Sequence, residues 1–485
     1  MRLVKVILIT VAAFLVIRSY LLPVAVDPFP ENELRELLKI ELPKIFNKSK
    51  IEANVFAVQM LEITTTKKSK GRKEGPFYFL HPAHCVDEIA MVVARSTIDE
   101  IYGVGKILQD INRRRKDAPI RQRLVARTKA SIAGLKLSQE LRSNMTLSPY
   151  IERDIHFWLR DYVVPLYGLD GKRAFIETSG KEIEFGIPST LAKIFGGSSF
   201  RPNLVNRYKP GNRGGNFLPT PDGRLIVGST ITAAMEDYLR HKARIDEVIQ
   251  VDTSWFYLGH VDTTVAVIPT PKSKAGYVIA VADARLGKEL LKSIGPRNIR
   301  KELVSLLERL YVFRQVHPES FGKEDAVLGM KIFEGLGWAY RSLQGFTCEQ
   351  GAKVVNANEE AAYALDQMAA RLAVKIGVPI IRLPAFYGTA PSGAIADLLP
   401  AVANMVIVGE DLIVPDPLLP AFVQHTQRTL EAVGCRVHFL PSATFHNLRG
   451  QLHCATIELR DPERCIHKRY EKDSRSFHSK QDVGR

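Results

Sequence analysis

Four short segments hold the residue types that could do chemistry. Cys454 lies in Arg449-Gly450-Gln451-Leu452-His453-Cys454-Ala455-Thr456. A cysteine placed this way is either an inert buried thiol or a nucleophile acting as its thiolate. His260 and Asp262 lie in Leu258-Gly259-His260-Val261-Asp262-Thr263. On an extended strand residues two apart face the same side, so this imidazole and this acid would share a face. The acid could hold positive charge while the imidazole moves protons near neutral pH; a satisfied histidine beside an N-capping aspartate is the plainer alternative. Asp161 follows Phe157-Trp158-Leu159-Arg160. A carboxylate beside a large ring suits a cation with an alkyl stem, although Arg160 and Asp161 alone also read as a surface ion pair. The last segment runs from Gly211 to Ser229 and contains Arg213-Gly214-Gly215-Asn216-Phe217 and Asp222-Gly223-Arg224. Asp-Gly between apolar runs signals a hairpin, and paired glycines allow close backbone approach or form a plain turn.

From about residue 150 onward, short β-rich runs alternate with helical stretches. Strands are expected at 255–258, 264–268, 277–280, 380–383, 405–408, 436–440 and 452–459, and helices at 289–310, 359–376 and 418–433. This alternation predicts an α/β domain over 150–460. Residues 27–149 form a separate N-terminal region, expected to be largely helical. It holds an amphipathic helix over Glu31–Phe46, a basic loop near 65–75 and an Arg- and Lys-rich helical stretch over 97–145. Residues 461–485 are charged, lack periodicity and read as a disordered tail.

A chain of 485 residues with 46% hydrophobic content can bury one large domain and a smaller one. The net charge of +15 reads first as a solvated basic surface. No nucleic-acid motif or interleaved aromatic accompanies the basic runs, so nucleic acid is not an expected partner. Five scattered cysteines without a CxxC pair exclude a zinc site from expectation, and their odd number leaves at least one thiol unpaired. The core is expected to form without disulfides. Arg2 and Lys5 precede an apolar run from Val6 to Ile17, so residues 1–26 read as a signal peptide or, if the run continues past Arg18, a membrane anchor. That leader points to the secretory route, secreted or anchored, with the cytoplasm as the alternative. Asn47-Lys48-Ser49 and Asn144-Met145-Thr146 would then be glycosylation acceptors.

Taken together, the order Trp-x-x-Asp, Gly-Asn, Gly-His-Val-Asp, Gly-x-x-His-Cys-x-Thr resembles the catalytic domain of the protein-arginine deiminases. The stretches Asp252-Thr253-Ser254-Trp255-Phe256-Tyr257-Leu258-Gly259-His260-Val261-Asp262, Asn404–Gly409 and Leu412–Pro417 strengthen the resemblance, which covers about 150–460. It implies a pentein fold, a five-bladed α/β propeller of ββαβ modules. It assigns Cys454 as nucleophile, His260 as general acid/base, and Asp161 and Asp262 as the acids that grip a guanidinium. Trp158, Arg160 and Asn216 fall to substrate binding. An arginine-containing protein or peptide is the implied substrate, converted to peptidyl citrulline and ammonia without a redox cofactor or catalytic metal.

The resemblance also brings calcium, which assembles the site in the animal enzymes, but Arg160, Val164 and Leu218 stand in the corresponding neighbourhood. Thr263 stands where a further acid usually follows the Gly-His-Val-Asp motif. Two alternatives keep the same residues: a deiminase or amidinotransferase for free arginine, agmatine or another small guanidine, and a catalytically silent guanidinium-binding anchored protein.

Overall fold

The computed structural model describes residues 77–94, 97–115, 119–126, 142–148, 151, 155–168, 172–178, 186–202, 209–299, 301–303, 323–346, 349–390, 392–442, 445–446 and 450–461. The leader, the helix expected over 31–46, the loop at 65–75, the first glycosylation triplet and residues 462–485 lie outside them.

The strands in chain order are β1 (Phe77–Phe79), β2 (Cys85–Val93), β3 (Arg121–Ala126), β4 (Met145–Leu147), β5 (Val163–Gly168), β6 (Arg173–Glu177) and β7 (Ser198–Phe200). They continue as β8 (Phe217–Pro219), β9 (Leu225–Gly228), β10 (Val248–Val251), β11 (Val265–Pro269), β12 (Tyr277–Asp283) and β13 (Ile380–Pro384). The last are β14 (Tyr387–Thr389), β15 (Ile395–Asp397), β16 (Val406–Val408), β17 (Asp411–Pro415), β18 (Arg436–Leu440) and β19 (Thr456–Asp461).

One wiring recurs in five sheets. An antiparallel pair is followed by a helical crossover to a third strand that runs parallel to the second. The sets are β19-β2-β3, β5-β6-β7, β8-β9-β10, β11-β12-β13 and β16-β17-β18. The crossover helices are Ile98–Arg114, Ile187–Ile194, Ala233–Lys242, Ala284–Ser293 with the longer Lys323–Leu343 and Glu349–Ile376, and Pro420–Ala432. Edge strands β4 and β1 extend the first two sheets. Among the described residues no sheet closes on itself.

The strands are apolar on both faces because each faces two cores. In β2, Ile89, Met91 and Val93 enter one buried cluster while Ala90 and Val92 enter another. The period of two sends alternate side chains to opposite sides, and helix-covered parallel sheets bury both. β12 does the same: Tyr277, Ile279 and Val281 pack with the long helix 349–376, and Val278 and Ala280 with residues of β16 and β17 and their neighbours. Each of five clusters joins two successive sheets, and one joins β16 and β17 to β2 and β3.

The N-terminal region differs from expectation. Its described part contains four strands beside the helix Ile98–Arg114. In β3, Arg121 and Arg123 alternate with buried Gln122 and Leu124, so the charges disguise a strand period as a basic helix. β2 pairs antiparallel with β19, so the segment before residue 150 completes a sheet with the segment after 455. Residues 255–258 form a loop carrying only an isolated bridge from Phe256 to Ile395, and 452–459 splits into a helical turn and β19. Cys85 is disulfide-bonded, contrary to a core without disulfides, whereas Cys435 and Cys454 are free.

Candidate active site

Each of the five sheets receives its first strand from a turn that carries a polar residue. Asp161 ends a 3-10 turn, Leu159–Asp161, just before β5. Asn216 ends another, Gly214–Asn216, before β8, and Asp262 lies in a third, Val261–Thr263, before β11. Asn404 precedes β16, and Cys454 lies in the helical turn Leu452–Ala455 before β19. His260 and Asp262 therefore do not lie on a strand. Gly259, with φ of 66°, turns the backbone just before them, and the 3-10 turn still brings both side chains to the same place.

The sulfur of Cys454 lies 3.5 Å from Oδ2 and 3.9 Å from Oδ1 of Asp262. Donor atoms of His260, Asp262 and Cys454 lie within 4.8 Å of one another, and all three residues are buried. Among the described residues this is the one cluster with metal-ligand spacing, and it holds three of the four residues expected to react, Asp161 not being among them. His260 Nε2 meets the Pro210 carbonyl at 3.1 Å. A carbonyl only accepts, so Nε2 carries the proton and Nδ1 is left to face the cluster. A Cβ on Gly215 would stand 2.8 Å from that Nδ1 and 3.1 Å from both Asp262 oxygens, so only glycine allows this approach.

Burial pushes the Cys454 thiol well above its ordinary pKa, and the negative charges of Asp262 and Asp161 push it the same way. Burial also works to raise Asp262, but the His453 hydrogen bond and the nearby His453, His260 and Arg160 outweigh it and hold this carboxyl below its usual range. The cluster is thus a buried anionic site with a protonated thiol in its wall.

Asp161 contributes its charge to this site while its Oδ2 accepts from Arg213 at 2.6 Å. Arg160 directs its N–H groups elsewhere, to the His453 carbonyl at 2.9 Å and to Glu458 at 2.5 Å. Asn216 is engaged with backbone: it donates to Gly211 and accepts from Gly228 and Val261, fixing the turn that carries Asp262. Trp158 packs with Phe157 and Phe445, and a Cβ on Gly450 would overlap its ring at 2.3 Å.

Sequence reasoning gave no role to three residues of this site. Asn404 donates to the Cys454 sulfur at 3.3 Å and to the Asp262 carbonyl at 3.1 Å, and its Oδ1 accepts from the backbone of His453 and Cys454. His453 joins Asp262, and Glu458 joins Arg160. Their motifs were visible, but hydrogen bonds between residues 49 or more positions apart leave no spacing to read. Calcium requires six to eight oxygen ligands. Beside Asp161 the chain presents an ion-paired guanidinium, Arg160, and the apolar Val164 and Leu218. Among the described residues, that neighbourhood does not offer the oxygen ligands a calcium ion needs.

A family model described as protein-arginine deiminase matches residues 212–465. The type-3 protein-arginine deiminase of Rattus norvegicus is 24% identical over 263 residues, covering 50% of this chain and 35% of that protein. The type-1 enzyme of Mus musculus is 25% identical over 298 residues, covering 58% and 39%. The matches therefore span little more than a third of the length of these curated relatives. An X-ray structure provisionally assigned as an agmatine deiminase superposes with a TM-score of 0.50 at 12% identity, covering 79% of this chain and 96% of the other. That likeness concerns the α/β fold alone.

Proposed function

The chain belongs to the protein-arginine deiminase family, and from that premise we propose that it hydrolyses the guanidinium of peptidyl arginine to a ureido group and ammonia through Cys454. The observation that carries the reading is the convergence of Cys454, His260 and Asp262, with the charge of Asp161 acting on the same sulfur.

A guanidinium carbon is cationic and resonance-stabilised, so a thiolate attacks it better than a neutral hydroxyl does. Asp161 and Asp262 supply the paired acceptors that a planar fork needs. The arriving cation offsets the two negative charges that hold the thiol protonated, and the freed proton passes to Nδ1 of His260. Sulfur bonds to the carbon, His260 returns the proton to the departing nitrogen, and ammonia leaves a thiouronium. His260 then takes a proton from water as its oxygen bonds to the carbon. The carbon–sulfur bond breaks as the remaining hydroxyl proton passes to the leaving sulfur, which gives the neutral ureido product and the resting thiol, and the proton on His260 passes to the released ammonia. Asp161 would release Arg213 as the substrate docks.

The five units are read as blades of a five-bladed propeller, a reading supported by buried clusters that pass from sheet to sheet and return to the first. The disulfide at Cys85 supports the secretory route suggested by residues 1–26, since such bonds persist in oxidising compartments.

The test is ammonia and ureido release from a blocked arginine ester, free arginine and agmatine, with and without a calcium chelator. Turnover of the ester alone, unaffected by chelation, is expected; turnover of agmatine or arginine alone would move the substrate to a small guanidine. Cys454→Ser should lower kcat by on the order of 10³-fold or more with an unchanged melting temperature. Near-normal turnover in that variant would remove Cys454 from the mechanism.

A further inference from the structure

Behind Asp262 lies a buried polar chain that the proposed chemistry does not use. His453 Nδ1 stands 2.7 Å from Asp262 Oδ2, and its Nε2 stands 3.9 Å from Glu458. Glu458 is paired with Arg160, whose Nε also holds the His453 carbonyl. Asn404 accepts from the His453 backbone N–H at 2.8 Å. The backbone of residue 453 is therefore fixed from two sides without help from its side chain. Asp262, His453, Glu458 and Arg160 also border one cavity of about 40 Å³, room for water.

A carboxylate that must grip a guanidinium has to present a defined oxygen at a defined angle. Asp262 is 1% exposed, so bulk solvent does not orient it. Its Oδ2 accepts from His453, and an ionised carboxylate only accepts, so Nδ1 bears the hydrogen. We propose that His453 is a positioning residue, whose Nδ1–H fixes Oδ2 of Asp262 and so aims the other oxygen at the substrate's guanidinium. This role rests on the deiminase reading of the same site. It concerns cation recognition, not proton transfer to the reacting carbon, so its loss should appear in KM more than in kcat.

The side-chain amide of asparagine can place an N–H near the position of Nδ1, whereas glutamine places it near Nε2, and leucine offers none. His453→Leu is expected to raise KM for the guanidinium substrate roughly tenfold to a hundredfold, the range lost when an orienting partner behind a ligand is removed. The kcat should change less. His453→Asn should recover most of the loss and His453→Gln should not. A second readout needs no turnover: the labelling rate of Cys454 by a cationic haloacetamidine divided by that by neutral iodoacetamide. The ratio should fall in His453→Leu and return in His453→Asn.

Equal KM and labelling ratios in the wild-type chain and a folded His453→Leu would overturn the role. So would asparagine and glutamine variants that behave alike, a comparison that stands even if the leucine variant does not fold. A wild-type chain that releases no ammonia but prefers the cationic probe would sink the deiminase reading and leave His453 to be judged by the ratio. A wild-type chain without that preference would overturn both.

Discussion

The thiol of Cys454 is held protonated by burial and by two carboxylates, so its reactivity should depend on the charge of what approaches it. Alkylation by a neutral reagent at pH 7 should be slow, and a cation that fills the site without reacting, such as guanidinium chloride at millimolar concentration, should accelerate it. Rate measurements on Cys454 by mass spectrometry decide this; retardation by the cation would show that charge compensation is not what frees the thiolate. The residues proposed to react stood out because motifs resembling the family's carry them, and the structure places Cys454, His260 and Asp262 side by side. Geometry was less legible. Extended backbone would have put His260 and Asp262 on one face, but a glycine in the left-handed region and the short turn after it bring both groups together another way. The partners of Arg160 were hidden for a similar reason, since Glu458 lies 298 residues away.

At the scale of elements, the buried pair Arg160–Glu458 ties the turn before β5 to the middle of β19, immediately beyond the turn that carries Cys454. Glu458→Gln would leave a buried guanidinium without its counter-charge, a change that costs about 3–5 kcal/mol. A melting curve should register that loss. Burial works to raise the Glu458 pKa, but the charge of Arg160 leads the opposing effects and holds it at about 2, against an ordinary 4.5. A depressed folded-state pKa stabilises above the unfolded value. This contribution is therefore complete above about pH 4.5 and is lost as pH falls toward 2. Urea unfolding across that window should show wild-type stability falling faster than that of the glutamine variant; parallel curves would refute the assignment. Strands such as β13 and β18 were readable from their apolar runs. β3 was not, because its exposed face is arginine.

At the scale of the whole molecule, the boundary expected at residue 150 does not separate two structural bodies. β2 and β3 share buried clusters with β16 and β17 on one side and with β5 and β6 on the other. A chain cut to 150–460 would strand β19 without β2 and expose Leu459, Ile457 and the apolar faces beside them. Such a truncation should be insoluble, or should bind a hydrophobic dye without a cooperative melt. A well-folded fragment would show that the amino-terminal strands are dispensable. The pattern within each unit could be read locally, but the partnership of the first unit's strands could not, because it joins opposite halves of the chain.

That partnership has a consequence for biosynthesis. Met91 lies opposite Thr456, two residues after Cys454, so the pairing closes a loop of more than 360 residues. During translation the amino-terminal strands emerge long before their antiparallel neighbour exists. The cluster around Cys454 therefore cannot assemble until β19 clears the ribosome and docks, and that late step, with its high contact order, is where chaperone dependence should concentrate.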